Sequence, residues 1–199
     1  MRFDRWAPSY DRSILQQLIF TPVHDAALNA CAAACAPPHD LLDIGCGTGR
    51  LLEATARRWQ ETQLTGIDIS EKMIAEALRK HQGDPQFNFK QGDASALPVE
   101  DASFDAAFST MSFHHWVDQT SGIRETARAL RPGGLFVLAD VDLPLLFLFG
   151  PLFNYIDGSK FHAPNDLRQL LEQAGLSVVA LRRFWTLSRA QLLVARKRD

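Results

Sequence analysis

Three carboxylates and one glycine-rich turn carry most of the chemical potential of this chain. Asp43, Asp68 and Asp93 each accompany a short apolar run, and Asp43 leads directly into Gly45-Cys46-Gly47-Thr48-Gly49. Carboxylates so placed can accept hydrogen bonds from hydroxyls or amines of a ligand. Glycines at every second position let the backbone turn tightly and let that ligand approach without a Cβ in the way. A fourth apolar run is followed by His114 and His115, imidazoles that could exchange a proton near neutral pH.

The elements that must hold these groups are legible around them. Asp40-Leu41-Leu42 reads as a strand and Arg50-Leu51-Leu52-Glu53-Ala54 as a helix, so residues 43–49 are a strand-to-helix turn. The helix would aim its free N–H groups and the positive end of its dipole at that turn. Such a turn also serves dinucleotides, but their fingerprint is Gly-x-Gly-x-x-Gly, with the third glycine allowing close helix–strand packing. Here the glycines recur by twos and Arg50 stands at that third position, a poor fit. Gln63–Ser70 reads as a second strand, with Asp68 19 residues after Gly49, where an acid can receive ribose hydroxyls or cap the helix from Ser70. Asn88–Ala94 gives a third strand ending in Gly92-Asp93, Phe104–Ser109 a fourth, and Leu130-Arg131-Pro132-Gly133-Gly134 a structural turn into a fifth through Leu138.

Taken together, Asp43-Ile-Gly-Cys-Gly-Thr-Gly, the acid of the second strand, Gly92-Asp93, Phe104-Asp105 and Leu130-Arg-Pro-Gly-Gly resemble the motifs of the class I S-adenosylmethionine-dependent methyltransferases. The nearest likeness is to the small-molecule, methyltransferase type 11-like group, over roughly residues 40 to 196. The resemblance implies S-adenosyl-L-methionine as cofactor, bound around the turn by Asp43, Gly45, Cys46, Gly47 and Gly49. It adds Asp68, Ile69 and Met73 at the second strand and following helix, Asp93 and Ala94 at the third strand, with Asp93 on the adenine amine, and Ser109 at the fourth. Phe3-Asp4-x-x-Ala7-x-x-Tyr10-Asp11 is similar to the opening of many relatives, which would bring Tyr10 over the methionine end; an aromatic anchor for a terminal helix is the plainer alternative.

Strands alternating with helices predict an α/β fold, a Rossmann-like doubly wound sheet that is mainly parallel. Helices are expected near Ile14–Ala34, Gly49–Trp59, Glu71–His81, Ser121–Leu130 and Asn165–Ala174, and strands at Ser177–Arg182 and Ala190–Arg196. The resemblance makes this a seven-stranded sheet whose last strand is antiparallel. The 199 residues divide, within one methyltransferase domain, into an N-terminal helical lid segment (1–38) and a cofactor-binding core (40–139). An apolar substrate-side insertion (140–162) and the last helix with its closing hairpin (163–199) complete it.

Composition bounds the partners. A net charge of -2 and no basic run longer than Arg196-Lys197-Arg198 disfavour nucleic acid. Cys31, Cys35 and Cys46 form neither a disulfide framework nor a metal pattern, and no apolar leader opens the chain, so a cytoplasmic setting without metal is expected. The Leu143–Phe153 segment is dense in apolar residues but broken by Pro144, Gly150 and Pro151, too short to span a bilayer. It could wall a substrate pocket, enter the core, meet a partner or touch a membrane surface; a pocket wall would favour an apolar or aromatic small-molecule acceptor.

Methyl transfer from a sulfonium needs alignment and dryness more than acid–base help. Should the acceptor have to lose a proton, His114 and His115 are the nearest candidates, with Asp140, Asp142 and Tyr155 behind them. No cysteine follows Cys46, which excludes a cytosine-type cysteine adduct. Ser109-Thr110-Met111-Ser112 replaces the Asn/Asp-Pro-Pro-aromatic run of amino-methylating nucleobase enzymes. The expected function is methyl transfer to a small molecule by in-line displacement, with carbon, oxygen and nitrogen acceptors all open. A cofactor-binding regulatory or assembly protein, and a nucleotide-cofactor Rossmann enzyme, are the alternatives.

Overall fold

The computed structural model describes Leu18 and residues 20–143, 164–186 and 189–199. Tyr10, Tyr155, the first part of the helix expected from Ile14, and residues 144–163 of the apolar insertion lie outside the described residues, as does the side chain of Asp142.

Seven strands form one sheet: β1 (Asp40–Ile44), β2 (Gln63–Asp68), β3 (Phe87–Gln91), β4 (Phe104–Thr110), β5 (Leu130–Leu143), β6 (Leu176–Trp185) and β7 (Arg189–Lys197). Their order is β3-β2-β1-β4-β5-β7-β6. β1 to β5 pair in parallel, whereas β7 runs antiparallel to both β5 and β6. The expected seven-stranded, mainly parallel sheet with an antiparallel last strand is what forms. Helices are α1 (Thr21–Ala34), α2 (Arg50–Arg58), α3 (Glu71–Lys80), α4 (Gln119–Ala129) and α5 (Pro164–Gln173), with a 3₁₀ turn at Phe113–His115.

Each central strand is apolar on both faces because helices cover both. Leu41, Phe108 and Val137 enter the core beneath α1, α2 and α3, with Val23, Leu52 and Ile74. Their neighbours Leu42, Ala107 and Phe136 point the other way, toward α4 and α5, where Ile123, Leu167 and Leu171 meet them. The period-2 alternation of a strand thus builds two cores from consecutive residues.

Helix starts follow local chemistry. Ser70 Oγ accepts from Met73 N at 3.3 Å to cap α3, and Asp118 Oδ1 accepts from Ser121 N at 3.0 Å to cap α4. That cap sets α4 two residues earlier than the periodicity placed it. The Arg131–Gly134 segment is not a free-standing turn. Pairing with β4 jumps from Phe104↔Leu130 to Ala106↔Leu135, so these residues form a bulge inside β5. Arg131 there donates to Asp105 Oδ1 (2.7 Å) and Asp40 Oδ2 (2.9 Å), tying β5 to β4 and β1 at the end of the sheet away from the glycine turn.

Candidate functional site

The carboxyl ends of β1, β2, β3 and β4 open on one side of the sheet, at the point where the strand order reverses between β1 and β4. Parallel α/β sheets bind ligands at such switch points. A cleft of about 770 Å³, counted out to its open mouth, occupies that place here. Of the residues expected from sequence, Gly45, Gly47, Asp68, Ile69, Met73, Asp93, Ala94 and His115 line it. A second, smaller space shares Gly45, Gly47 and Met111 with it and adds Asp43, Cys46, His24 and Arg50.

The glycine turn sits between two constraints. At Gly45, with φ of 79°, a Cβ would fall 2.4 Å from the Ser112 side chain, so the close approach of the two segments needs hydrogen there. Gly47 also takes a positive φ, 54°, but nothing lies within 4 Å of where its Cβ would be: it faces open space. Gly49 is different. A Cβ there would meet the Phe89 ring at 2.9 Å, and Gly49 lines neither space; it begins α2 and admits Phe89 against the helix.

The N–H groups of this turn are committed inward. Gly45 N and Cys46 N both donate to Ile67 O, at 2.7 and 3.0 Å, and Gly47 N donates to Asp68 Oδ2 at 2.8 Å. Asp68 Oδ1 accepts from Ser70 N at 2.8 Å. One carboxylate therefore ties the turn after β1 to the start of α3 while lining the cleft. Asp68 is not itself the cap of α3: Ser70 is, and Asp68 holds the N–H of that cap residue.

Asp43 lies on β1 between Gly66 and Phe108 and is 1% exposed. Its Oδ1 has no hydrogen-bond partner. Burial first, and the nearby Asp68 second, push its carboxyl up to about 8. Burial likewise raises Asp68, against the pull of its N–H bonds from Ser70 and Gly47. Two acids in so dry a place cannot both carry their charge cheaply, so one holds a proton that an arriving cation could displace.

Asp93 Oδ1 is held by Ser95 N and Ser95 Oγ, both at 2.8 Å, which fixes its loop at the rim of the cleft. Ser109 is fully buried and lines neither space. It bonds Ser112 Oγ at 2.9 Å, and Ser112 Oγ donates to Ile44 O at 2.8 Å, so Ser109 supports the wall rather than forming it. Met111, Ser112, Trp116 and Val117 complete the cleft. Sequence reasoning missed these four. The signal for Met111 is backbone conformation, a non-glycine φ of 55° beside a ligand space, which no residue type announces.

The paired histidines separate. His114 is buried, with Nδ1 2.7 Å from Asp140 Oδ1 while its backbone N donates to Asp140 Oδ2 at 3.0 Å. His115 packs against the His114 ring, centroids 3.9 Å apart, and turns to the cleft. Burial, then His114, lowers its imidazole to about 4, leaving it neutral at pH 7. Among the described residues, no group of three His, Cys, Asp or Glu could hold a metal ion.

A protein-family model for a methyltransferase domain matches residues 42–138, from within β1 to within β5. The chain is 30% identical over 186 residues to a malonyl-[acyl-carrier protein] O-methyltransferase of Dechloromonas aromatica, covering 91% of this chain and 66% of that one. The chain belongs to the class I S-adenosylmethionine-dependent methyltransferases. This methyltransferase is also 35% identical over 150 residues to the O-methyltransferase cnsE of Penicillium expansum, covering 70% of this chain and 52% of the relative. It thus spans about half to two thirds of the length of these relatives. In fold it is similar to a methyltransferase solved in complex with the Trm112 activator of Haloferax volcanii, with a TM-score of 0.81, 22% identity and coverage of 99% and 98% of the two chains. The family's donor is S-adenosylmethionine.

Proposed function

We propose that this chain transfers a methyl group from S-adenosylmethionine to a small apolar or aromatic acceptor, in a cytoplasmic setting. One observation carries the reading: Gly45, Cys46 and Gly47 spend their N–H groups on Ile67 and Asp68, and two buried acids line the ligand spaces. The N–H groups of Gly45, Cys46 and Gly47 are closed to a pyrophosphate, and the acids beside them favour a ligand with a cationic end. The orphaned Asp43 Oδ1 fits that group, because a buried carboxyl oxygen lacking a donor accepts an ammonium well.

Bound S-adenosylmethionine supplies a methyl carbon on a positively charged sulfur, already activated for displacement. In the reading proposed here, Asp68 and Ile69 hold the ribose and Asp93 and Ala94 the base, while the turn at Gly45, Cys46 and Gly47 bears the amino-acid end. Asp43 and Arg50 would offer that end opposite charges, suited to an ammonium and a carboxylate. Met73 packs the cofactor side of the cleft. Met111, Trp116 and Val117 bring apolar surface to the cleft, consistent with an apolar acceptor and with exclusion of water. Neutral His115 is placed to take a proton where the acceptor must lose one; His114, locked to Asp140, positions it. Among the described residues, no helix is long and apolar enough to cross a membrane.

Calorimetric titration with S-adenosylmethionine, S-adenosylhomocysteine and NAD tests the donor. Micromolar binding of the two sulfur nucleotides, with NAD silent, is the expected result; binding of NAD alone overturns the reading. An acceptor screen with labelled methyl donor then separates catalysis from binding: a regulatory protein would bind donor and label nothing.

A further inference from the structure

Away from the cleft, two cysteines meet at the end of α1. Cys31 Sγ and Cys35 Sγ lie 3.6 Å apart, four residues along the same helix, and the Cys35 thiol also reaches Cys31 O at 3.5 Å. Their surroundings differ. Cys31 is fully buried in the core with Val23, Ala27 and Leu28, whereas Cys35 is half-buried and belongs to the helix's C-terminal boundary. There its backbone has already left the helix, with φ -153° and ψ 167°. Arg196 secures the adjoining turn, donating to Ala34 O and Gly133 O, both at 2.9 Å.

We infer that Cys31 and Cys35 are a peroxide-sensitive dithiol that closes to a disulfide within one chain. The asymmetry assigns the roles. Cys35 is the attacking sulfur, since it is the one a small oxidant can reach, and Cys31 is the resolving sulfur, fixed in place by the core. The Cys31 thiol, donating to Cys35, and then the Arg196 charge lower the Cys35 thiol against burial and Asp105, while the same contact and burial raise Cys31. A thiol lowered in this way, beside a partner sulfur in contact, is the kind that reacts with a hydroperoxide.

The chemistry balances with a hydroperoxide as oxidant. Cys35 thiolate attacks the outer oxygen, the O–O bond breaks, and alkoxide or hydroxide leaves, giving Cys35 sulfenic acid. The Cys31 sulfur then attacks the Cys35 sulfur, the S–O bond breaks, and water leaves with the Cys31 proton. Two electrons pass from the thiols to the peroxide. Closing the sulfurs from their present contact takes about 1.5 Å of movement to bonding distance. With Cys31 pinned, the movement falls on Cys35, whose backbone N donates to Cys31 O at 3.0 Å where the helix ends. Ideal helical geometry puts residues four apart about 6 Å between Cα atoms, inside the range that disulfides span.

Cys46 provides an internal control, buried beneath the glycine turn and raised well above an ordinary thiol by burial. The test exposes the intact protein to a small excess of hydrogen peroxide, blocks free thiols with N-ethylmaleimide, and cleaves before aspartate. Residues 25–39 are then released with Cys31 and Cys35 but without Cys46. The expected peptide is unlabelled and 2 Da lighter than its dithiol, and dithiothreitol before blocking restores two labels. In Cys31→Ser, dimedone should trap a sulfenic acid on Cys35; in Cys35→Ser, the peptide should keep one label. Two labels on the wild-type peptide after peroxide, oxidation confined to Cys46, or a disulfide between two chains would each overturn the proposal.

Discussion

Asp68 Oδ2 accepts the Gly47 N–H at 2.8 Å, joining the end of β2 to the middle of the glycine turn across 21 residues of sequence. The bond turns a flexible run of glycines into a defined wall, and it removes from that wall a donor that a phosphate would have used. Its second oxygen accepts from Ser70 N and so holds in place the residue that caps α3. Asp68→Ala deletes both. Hydrogen bonds to a charged group contribute about 1.5–3 kcal/mol each, so S-adenosylmethionine affinity should fall by about tenfold or more, with a lower melting temperature. Calorimetry on the variant checks this; undiminished affinity would remove Asp68 from the site.

The three glycines should respond unequally to alanine. Gly45→Ala combines a left-handed backbone with a Cβ 2.4 Å from Ser112, and should cost about 2–4 kcal/mol of stability. Gly47→Ala carries the backbone penalty without a clash, about 1 kcal/mol, but adds a methyl group on the ligand side. Denaturant titration should rank Gly45→Ala as the less stable, while cofactor binding should reveal the defect of Gly47→Ala. Equal stability of the two variants would contradict the contact with Ser112.

Buried groups set opposed pH slopes, and His24, lowered to about 4 by burial and then by Arg50, acts in the same direction as His115. Asp43 has a folded value of about 8, above its value of 3.8 in the unfolded chain, so its contribution is full below about 3.8 and is lost as pH rises through 8. His115 is depressed from 6.5 to about 4, so its contribution is present above 6.5 and is lost as pH falls through 4. Between these limits the slopes oppose; above pH 6.5 that of Asp43 stands without it. From pH 6.5 to 8 the Asp43 contribution falls while that of the lowered Cys35 thiol grows, so ligand-free Asp43→Asn should gain stability relative to the wild type across that window. A cationic ligand beside Asp43 should also expel its proton, which calorimetry in buffers of different ionisation enthalpy detects.

His115 offers a test of proton transfer separate from binding. Held at about 4, it remains a neutral base across pH 6–9, so a reaction that uses it should show a flat kcat there. His115→Gln should then lower kcat by about 10²-fold or more with S-adenosylmethionine affinity little changed. Asp140→Asn weakens the clamp on His114 and should produce a smaller fall of the same kind. An unchanged kcat in His115→Gln would make this residue a wall of the cleft and nothing more.

Much of this molecule is readable from one dimension. The strand–turn–helix at residues 40–58, the acids closing β2 and β3, and the alternation that produces a parallel sheet are local patterns, because each depends on spacing within a few residues. Helix ends were less legible where a cap lay outside the apolar period, as with Asp118, and the Arg131–Gly134 turn proved to be a bulge because β4 pairs on both sides of it. The site divides along the same line. Residue types and intervals identify the glycine turn and its acids, and through them the family. Only the tertiary structure could decide that Ser109 backs Ser112 while Met111 lines the cleft, that Gly49 packs on Phe89, and that adjacent histidines face different partners. Those outcomes depend on which strands become neighbours, and so on burial, dielectric and contact between residues up to 68 positions apart. Spacing determines what a segment can be; packing determines which of its atoms a ligand meets.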